Sequence, residues 1–296
     1  MLGRGMQAFD YAAPTTLADA VAVLKQHGPS ARVLAGGTDI IIQEREGRKD
    51  VAMMVDVKAI PETMELSLRA DGSLRLGAAV PCAVIYRHRE IARRFPALID
   101  SASLIGGIQI QSRASLGGNL CNSSPAADAI PTLIVLGAVC EIAGPGGTRA
   151  LPVEEFCTAP GENALQPGEL LVALSFPPPA PHSGAAFERF IPRNEMDIAV
   201  CNAAASVTLS NDGKTFASAR IAVGAVAPTP LFVKAAGDAL AGRPVAAASI
   251  EAAATAAAAA ARPITDMRGS AGQRMHLAGV LTRRVINAAV ARASGA

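Results

Sequence analysis

The chain has 296 residues, half of them hydrophobic, with 27 basic against 25 acidic side chains and a net charge of +2. That length supports one large domain or two modest ones with real cores and argues against disorder. The near-neutral, scattered charge excludes a strong electrostatic footprint for nucleic acid or anionic membrane, and the lack of Trp and 3% aromatic content disfavour base stacking on single strands. Thr15 and Thr16 are placed to cap a helix whose apolar residues Leu17, Val21 and Leu24 share one face and which Gly28 ends. A strand over 32–34 runs directly into AGGTD (35–39). A short helix, IIIQEREG, follows, which Thr38 or Asp39 could cap, and then VAMMVDV (51–57), a run suited to a buried strand. SLRLGAAV (73–80) alternates as a strand, 81–95 reads as helical with Pro81 in the first turn, and 96–107 continues as a helix that breaks at Gly106 and Gly107. The first half therefore reads as α/β.

After SLGGN (115–119), IPTLIVLG and AVCEIAG predict a helix and a strand, and ELLVALSFPPP (169–179) predicts a strand stopped by a proline run that marks the domain boundary. Beyond it, long β patterns are followed by alanine-rich helices from Leu231 onward. The tract EAAATAAAAAA reads as a packed helix rather than a disordered segment. The expected organisation is a domain over 1–178 and a smaller sheet-plus-helices domain over 183–296.

The N-terminal MLGRGMQAFDYAAP lacks an apolar signal-type run, and no stretch approaches a membrane span without Gly, Pro or charge, so a soluble, unexported, cytoplasmic protein is expected. Cys82, Cys121, Cys140, Cys157 and Cys201 form no CxxC pair and are odd in number, which supports neither a disulfide framework nor a zinc or iron–sulfur site within the chain. Reduced thiols are expected. His88, His182 and His276 fall in no triad or metal-ligand pattern.

Two glycine pairs stand out, AGGTD and SLGGNLCNSSPAAD (115–128), each flanked by small polar side chains. Glycine allows positive φ and close approach of backbone to a ligand, and consecutive exposed amides make an anion cradle. Neither pair fits the dinucleotide or P-loop fingerprints. Taken singly, each reads as a tight turn; taken together, they could grip the two phosphates of one pyrophosphate.

LAGGTDI followed by VDV, IGGIQIQSRASLGGNLCNSSPAADAIP, ELLVALSFP, FERFIPRNEMDIAV, APTP and ITDMRGSAGQR, in that order, resemble the FAD-binding subunit of the xanthine dehydrogenase family of molybdenum hydroxylases, which includes carbon monoxide dehydrogenase. The resemblance covers the chain from about Phe9 to the RGSA segment. It implies an α+β fold: a two-subdomain FAD-binding domain of the vanillyl-alcohol-oxidase/PCMH type, then a C-terminal domain of antiparallel sheet plus helices. It also implies that Ala35, Gly36, Gly37, Thr38 and Asp39, with Leu34 beside them, and Ser115, Gly117, Gly118 and Asn119 bind the FAD pyrophosphate and neighbouring ribityl oxygens.

By the same resemblance, Asp128 bonds a flavin sugar or ribityl hydroxyl, with a helix N-cap as its ordinary alternative. Ile105 makes an aliphatic contact where some relatives have an aromatic residue, and Leu171 and Val172 bring strand backbone to the flavin's pyrimidine edge. Arg189 takes a basic position near the N1/C2=O end of the ring, its alternative being an ion pair with Glu188 or Glu195. Gln273 departs from a Tyr common in relatives. Some relatives carry a cysteine-rich insertion for a four-iron cluster, whereas this segment has only Cys121, so no cluster is expected.

The implied role is electron transfer with no catalytic side chain of its own. A molybdenum-cofactor subunit hydroxylates the substrate and a small subunit with two 2Fe–2S clusters relays electrons to the FAD of this chain, which hands them to NAD+, a quinone or oxygen. A dimer of heterotrimers is the expected assembly. The rival reading is a stand-alone flavin-dependent reductase or oxidase of the same architecture, for which Arg193, Glu195 and Asp197 are the clustered candidates.

Overall fold

The computed structural model describes residues 7–193 and 195–295; part of the N-terminal reading above, residues 1–6, and the final residue of the second domain lie outside the described residues. Strands Asp10–Ala12, Met53–Asp56 and Ala31–Leu34 form a parallel sheet in that order, the geometry a strand–helix–strand sequence imposes. The crossover helix Leu17–His27 starts at Thr16, whose Oγ1 accepts from the Asp19 amide at 3.1 Å, and ends at Gly28 with φ of 55°, both as expected. Ala20 and Leu24 on this helix pack with Val55, Val57 and Leu170 in a small core.

A second subdomain is built on a five-stranded antiparallel sheet ordered Leu66–Leu68, Leu74–Gly77, Leu170–Phe176, Val139–Gly144, Gly147–Pro152. Its largest core joins Leu74, Leu76, Ile85, Leu98, Leu116 and Leu133 from the sheet and the intervening helices. The chain then passes through Pro177–Pro179 to a four-stranded antiparallel sheet, Ser183–Phe190, Cys201–Leu209, Phe216–Gly224 and Leu231–Phe232, covered by helices Ala247–Ala260 and Ala271–Ala293. The alternation of this sheet decides its neighbours: Ala203, Ala205 and Val207 face the helices, while Ala204 and Ala222 join the core of the preceding subdomain. The molecule is α+β, and its last sheet is packed on both faces.

Several elements differ from the sequence expectation. Residues 81–95 form two helices, Cys82–Arg87 and Arg89–Arg94, because His88 adopts an extended ψ of 103° and its Nδ1 caps the second helix at the Ile91 amide, 3.4 Å away. Pro81 is the residue before the first of them, not a member of its first turn. The next helix, Pro96–Ala102, stops before the glycine pair, and Gln111 Nε2 holds the Ser103 carbonyl at 2.8 Å. Leu231 begins a short strand, with helices following from Lys234. The SLGGN segment is the start of a helix, Leu116–Asn122, rather than a loop.

Candidate functional site

A cleft of about 610 Å3 lies between the parallel sheet and the antiparallel subdomain, and both glycine segments line it. The first follows the end of strand Ala31–Leu34. Gly37 has φ of 76°, a backbone conformation costly for any residue with a Cβ. Gly36 has ordinary φ, but a Cβ there would sit 2.0 Å from the Arg113 carbonyl oxygen, so this glycine lets the first segment touch the stretch that leads into the second. The amides of Gly36, Gly37, Thr38 and Asp39 donate to no group among the described residues.

The second segment begins at Ser115, whose Oγ accepts from the Gly118 amide at 3.0 Å and so caps the helix. The Gly117 amide in the first turn has no acceptor among the described residues. Gly117 is pressed on backbone, since a Cβ would lie 2.5 Å from the Ala78 carbonyl oxygen. Gly118 is helical with ordinary φ, which corrects the expectation that both pairs use positive φ. The Asn119 side chain is turned inward, its Oδ1 accepting from the Ala129 amide at 3.2 Å.

Side chains that the sequence reading did not single out tie the two segments together. Gln43 Nε2 donates to Asn122 Oδ1 at 2.8 Å, and Asn122 Nδ2 donates to Asp39 Oδ1 at 3.3 Å. Asp39 occupies the N-cap position of helix Ile40–Arg45 without capping it. Desolvation raises its carboxyl pKa above the ordinary range, with Arg48 opposing. Lys58 Nζ donates to the Ala35 carbonyl at 2.8 Å and to Asp56 Oδ1 at 2.7 Å, and Tyr11 donates to Asp56 Oδ2 at 2.7 Å. The signal for this anchor was VDVK, an acid and a base two residues apart at a strand end next to AGGTD. Burial opposes ionisation of Asp56, but the bonds from Lys58 and Tyr11 together hold its pKa below the usual value.

Of the residues implied by the resemblance, Ala35, Gly36, Gly37, Thr38, Asp39, Ile105, Ser115, Gly117, Gly118, Asn119 and Leu171 line this one cleft. Leu34 lies beneath Gly37, its Cδ1 3.1 Å from where a Cβ would be. Strand pairing shifts between Leu171 and Ala173, a bulge that leaves the Val172 carbonyl accepting from the Ala78 amide at 2.9 Å. Val172 is therefore buried behind the wall that Leu171 forms.

Asp128 and Arg189 are brought together instead of lining the cleft. They form a buried ion pair across the two domains, and Asn202 Nδ2 donates to Asp128 at 3.3 Å. Desolvation pushes the Asp128 carboxyl pKa up, with Arg189 and Asn202 partly offsetting it. Asp128 makes no side-chain cap to the helix that follows. Neither alternative partner of Arg189 is used: Glu188 pairs with Arg284 at 2.7 Å, and Arg189 with Asp128. Arg193 and Asp197 likewise pair with each other, at 3.1 Å. The cysteines are free, and burial pushes the Cys82, Cys121 and Cys201 thiols up to about 12.

The cleft suits a flavin dinucleotide. Its lining joins unpaired backbone amides and Arg32, whose buried Nε has no partner, with the apolar Ala78, Ala79, Ile105 and Leu171. Residues 7–179 match the family model described as the FAD binding domain in molybdopterin dehydrogenase, and residues 186–289 match the CO dehydrogenase flavoprotein C-terminal domain. The chain is 36% identical over 291 residues to the xanthine dehydrogenase FAD-binding subunit of Escherichia coli O157:H7, covering 97% of this chain and 99% of that protein. It is 33% identical over 286 residues to the carbon monoxide dehydrogenase medium chain of Afipia carboxidovorans, covering 96% and 98%. A chain of the solved Cu,Mo-CO dehydrogenase superposes with a TM-score of 0.92 at 32% identity, over 99% of this chain and 100% of that one. Quinoline 2-oxidoreductase from Pseudomonas putida 86 gives 0.89 at 29% identity, over 97% and 99%.

Fold, cleft and matches together define a flavoprotein component of a molybdenum hydroxylase. The chain belongs to the FAD-binding subunits of the xanthine dehydrogenase and carbon monoxide dehydrogenase family, as an oxidoreductase subunit whose cofactor is FAD. Among the described residues no helix is long and apolar enough to cross a membrane.

Proposed function

We propose that this chain is the electron-transferring flavoprotein of a heterotrimer, working with a molybdenum-cofactor subunit that hydroxylates the substrate and a small subunit that relays electrons through two 2Fe–2S clusters. Through its FAD, the chain passes those electrons to NAD+, a quinone or oxygen. When bound, FAD supplies the exchange between one-electron and two-electron transfer. The residues up to 178 hold the cofactor and those from 183 onward close its ring end.

Within that reading, the amides of Gly36, Gly37, Thr38 and Asp39 and the helix start at Ser115 to Gly118 hold the pyrophosphate, aided by Asn119. Ile105 and the backbone of Leu171 pack along the ring with Val172 behind them, and Leu34 supports the first loop from below. Asp128 and Arg189 act from behind the cleft as a paired charge that tunes the ring's electrostatics.

The observation that carries the reading is a set of exposed apolar side chains on the stretch that follows Ile105 and on adjoining segments of the C-terminal domain. Ile108 is 66% exposed, Met196 56%, Ile198 48% and Met267 94%. These residues come from three adjoining segments: Met196 Sδ lies 2.9 Å from where a Cβ on Gly107 would be, and Arg274 links Val200 to Asp266 by bonds of 2.9 and 2.7 Å. A cluster of this kind beside a redox cofactor suits a docked electron donor. The test is to purify the chain alone and co-expressed with candidate iron–sulfur and molybdenum subunits. The expected result is flavin absorbance in every preparation and substrate-driven flavin reduction only when both partners are present. A lone chain that turns over a small substrate of its own would establish the stand-alone reductase or oxidase instead.

A further inference from the structure

A second cavity, of about 550 Å3, opens between the two domains and shares no lining residue with the flavin cleft. Its walls carry four arginines, Arg93 and Arg94 from the FAD-binding domain and Arg220 and Arg292 from the C-terminal domain, and no Asp or Glu lines it. Ser206, Thr208 and Ser218 add three hydroxyls, none of which makes a side-chain hydrogen bond among the described residues. They lie on the sheet face that, a few residues away, packs Ala204 and Ala222 into the FAD-binding domain's core. The face changes from methyl groups to hydroxyls and cations where the cavity opens. A merely unfilled junction between domains has no need of that change.

Arg93, Arg220 and Arg292 are held in position by acids and carbonyls, and Arg94 and Arg220 have donors to spare. Arg292 is fixed on Asp100 by bonds of 2.6 and 2.9 Å. Arg220 gives its Nε and Nη2 to the Ile134 carbonyl at 3.1 and 2.9 Å, and Nη2 also to Glu154 at 2.9 Å, while its guanidinium stacks 4.3 Å from the Phe232 ring centre; its Nη1 is left over. Arg93 is paired with Glu90 at 2.9 Å. Arg94 comes no nearer to that carboxylate than 3.8 Å and donates no hydrogen bond among the described residues. An oxyanion seated here would meet the anchored guanidinium of Arg220, the uncommitted one of Arg94 and hydroxyl donors without displacing an acid from the wall.

We propose that this interdomain cavity binds a small metabolite bearing a phosphate or carboxylate group, with the oxyanion on Arg94 and the free edge of Arg220 and further contacts from Ser206 and Thr208. Such a ligand touches both domains at once and stabilises their junction. The inference does not depend on the partners or acceptor proposed above.

The test uses FAD-saturated protein, so that the flavin cleft is filled, titrated with sodium phosphate and separately with citrate against sodium chloride at matched ionic strength. The unfolding midpoint is followed by flavin fluorescence and binding by calorimetry. A saturable rise with phosphate or citrate that chloride does not give is expected, and the anion that produces it identifies the class of ligand. Arg94→Gln weakens that binding by about tenfold with flavin content and spectrum unchanged. Thr208→Val, which removes a hydroxyl without touching an ion pair, weakens it in the same direction and serves if the first variant does not fold. No saturable response to either anion, or one that both variants leave intact, overturns the proposal.

Discussion

Gly36 and Gly37 are neighbours, yet they are glycines for different reasons. Gly36 is held by fixed backbone, the Arg113 carbonyl, which a Cβ would meet at 2.0 Å. Gly37 is held by its φ of 76°, and the atom a Cβ would meet at 2.7 Å is only the mobile end of Ile41. Gly36→Ala should therefore push the two pyrophosphate segments apart and purify without flavin. Gly37→Ala should pay about 1 kcal/mol of backbone strain and hold FAD more weakly by less than about tenfold. Flavin absorbance per protein after gel filtration measures both; stoichiometric flavin in Gly36→Ala would refute the cradle. At the buried pair, Arg189→Met leaves Asp128 without its cation, a loss of about 3–5 kcal/mol at neutral pH. The carboxyl's folded pKa is already raised by burial, so its contribution to stability is greatest below the ordinary value of about 3.9 and declines as pH rises through the folded value. Removing the arginine lifts the folded value further. The deficit of Arg189→Met in urea unfolding should thus shrink on acidification, and its bound flavin should have a lower reduction potential. Adding Asp128→Asn should restore stability at neutral pH.

At the scale of elements, the first glycine loop depends on an anchor drawn from two strands and a turn: Tyr11, Asp56 and Lys58. Lys58→Met removes the bond to the Ala35 carbonyl, and a hydrogen bond from a charged donor is worth about 1.5–3 kcal/mol. FAD dissociation constants should rise about tenfold or more, as read by fluorescence titration of the apoprotein. Asp56 has a depressed pKa, so its support is complete above the ordinary value of about 3.9 and is lost as pH falls through the folded value. Acid release of FAD should follow that fall in wild type and should be weak in Asp56→Asn, which lacks the titrating group. The glycine loop itself was legible in sequence because a strand running into Gly-Gly has few uses. The acid–base half of the anchor was marked by VDVK, but its junction with Tyr11 was not legible, because Tyr11 and Asp56, 45 residues apart, meet only through parallel strand pairing. Helix Leu116–Asn122 was missed for a related reason: two glycines argue against a helix locally, and Ser115 capping with burial of Leu116 and Leu120 overrides that preference. The break at His88 has no Gly or Pro signal at all and depends on a side-chain cap visible only in three dimensions.

On the scale of the whole molecule, the two domains are joined by charged side chains as well as by a shared core. Arg292 reaches Asp100, Arg220 reaches Glu154 and Arg189 reaches Asp128, each time from the C-terminal domain to an acid of the FAD-binding domain. Met196, whose Sδ lies 2.9 Å from where a Cβ on Gly107 would be, brings the C-terminal domain against the stretch that follows Ile105, and Ile108, Met196, Ile198 and Met267 are exposed there and nearby. Side chains as exposed as Ile108 and Met267 contribute little to the fold of the isolated chain, so charging them separates assembly from folding. Ile108→Glu and Met267→Glu should each keep the wild-type flavin spectrum and unfolding midpoint to within about 0.5 kcal/mol. Each should also weaken association with the iron–sulfur subunit proposed as its partner, because a carboxylate buried at an apolar contact is desolvated without a counter-charge. Co-expression followed by size-exclusion chromatography and stopped-flow reduction of the flavin reads both effects. Expected are a shift from complex to free subunit and a slower flavin reduction by substrate, with reduction by dithionite unchanged. Normal assembly of both variants would move the donor's docking face elsewhere on the molecule, and a path from donor to flavin would then have to enter from a side other than the Ile105 end.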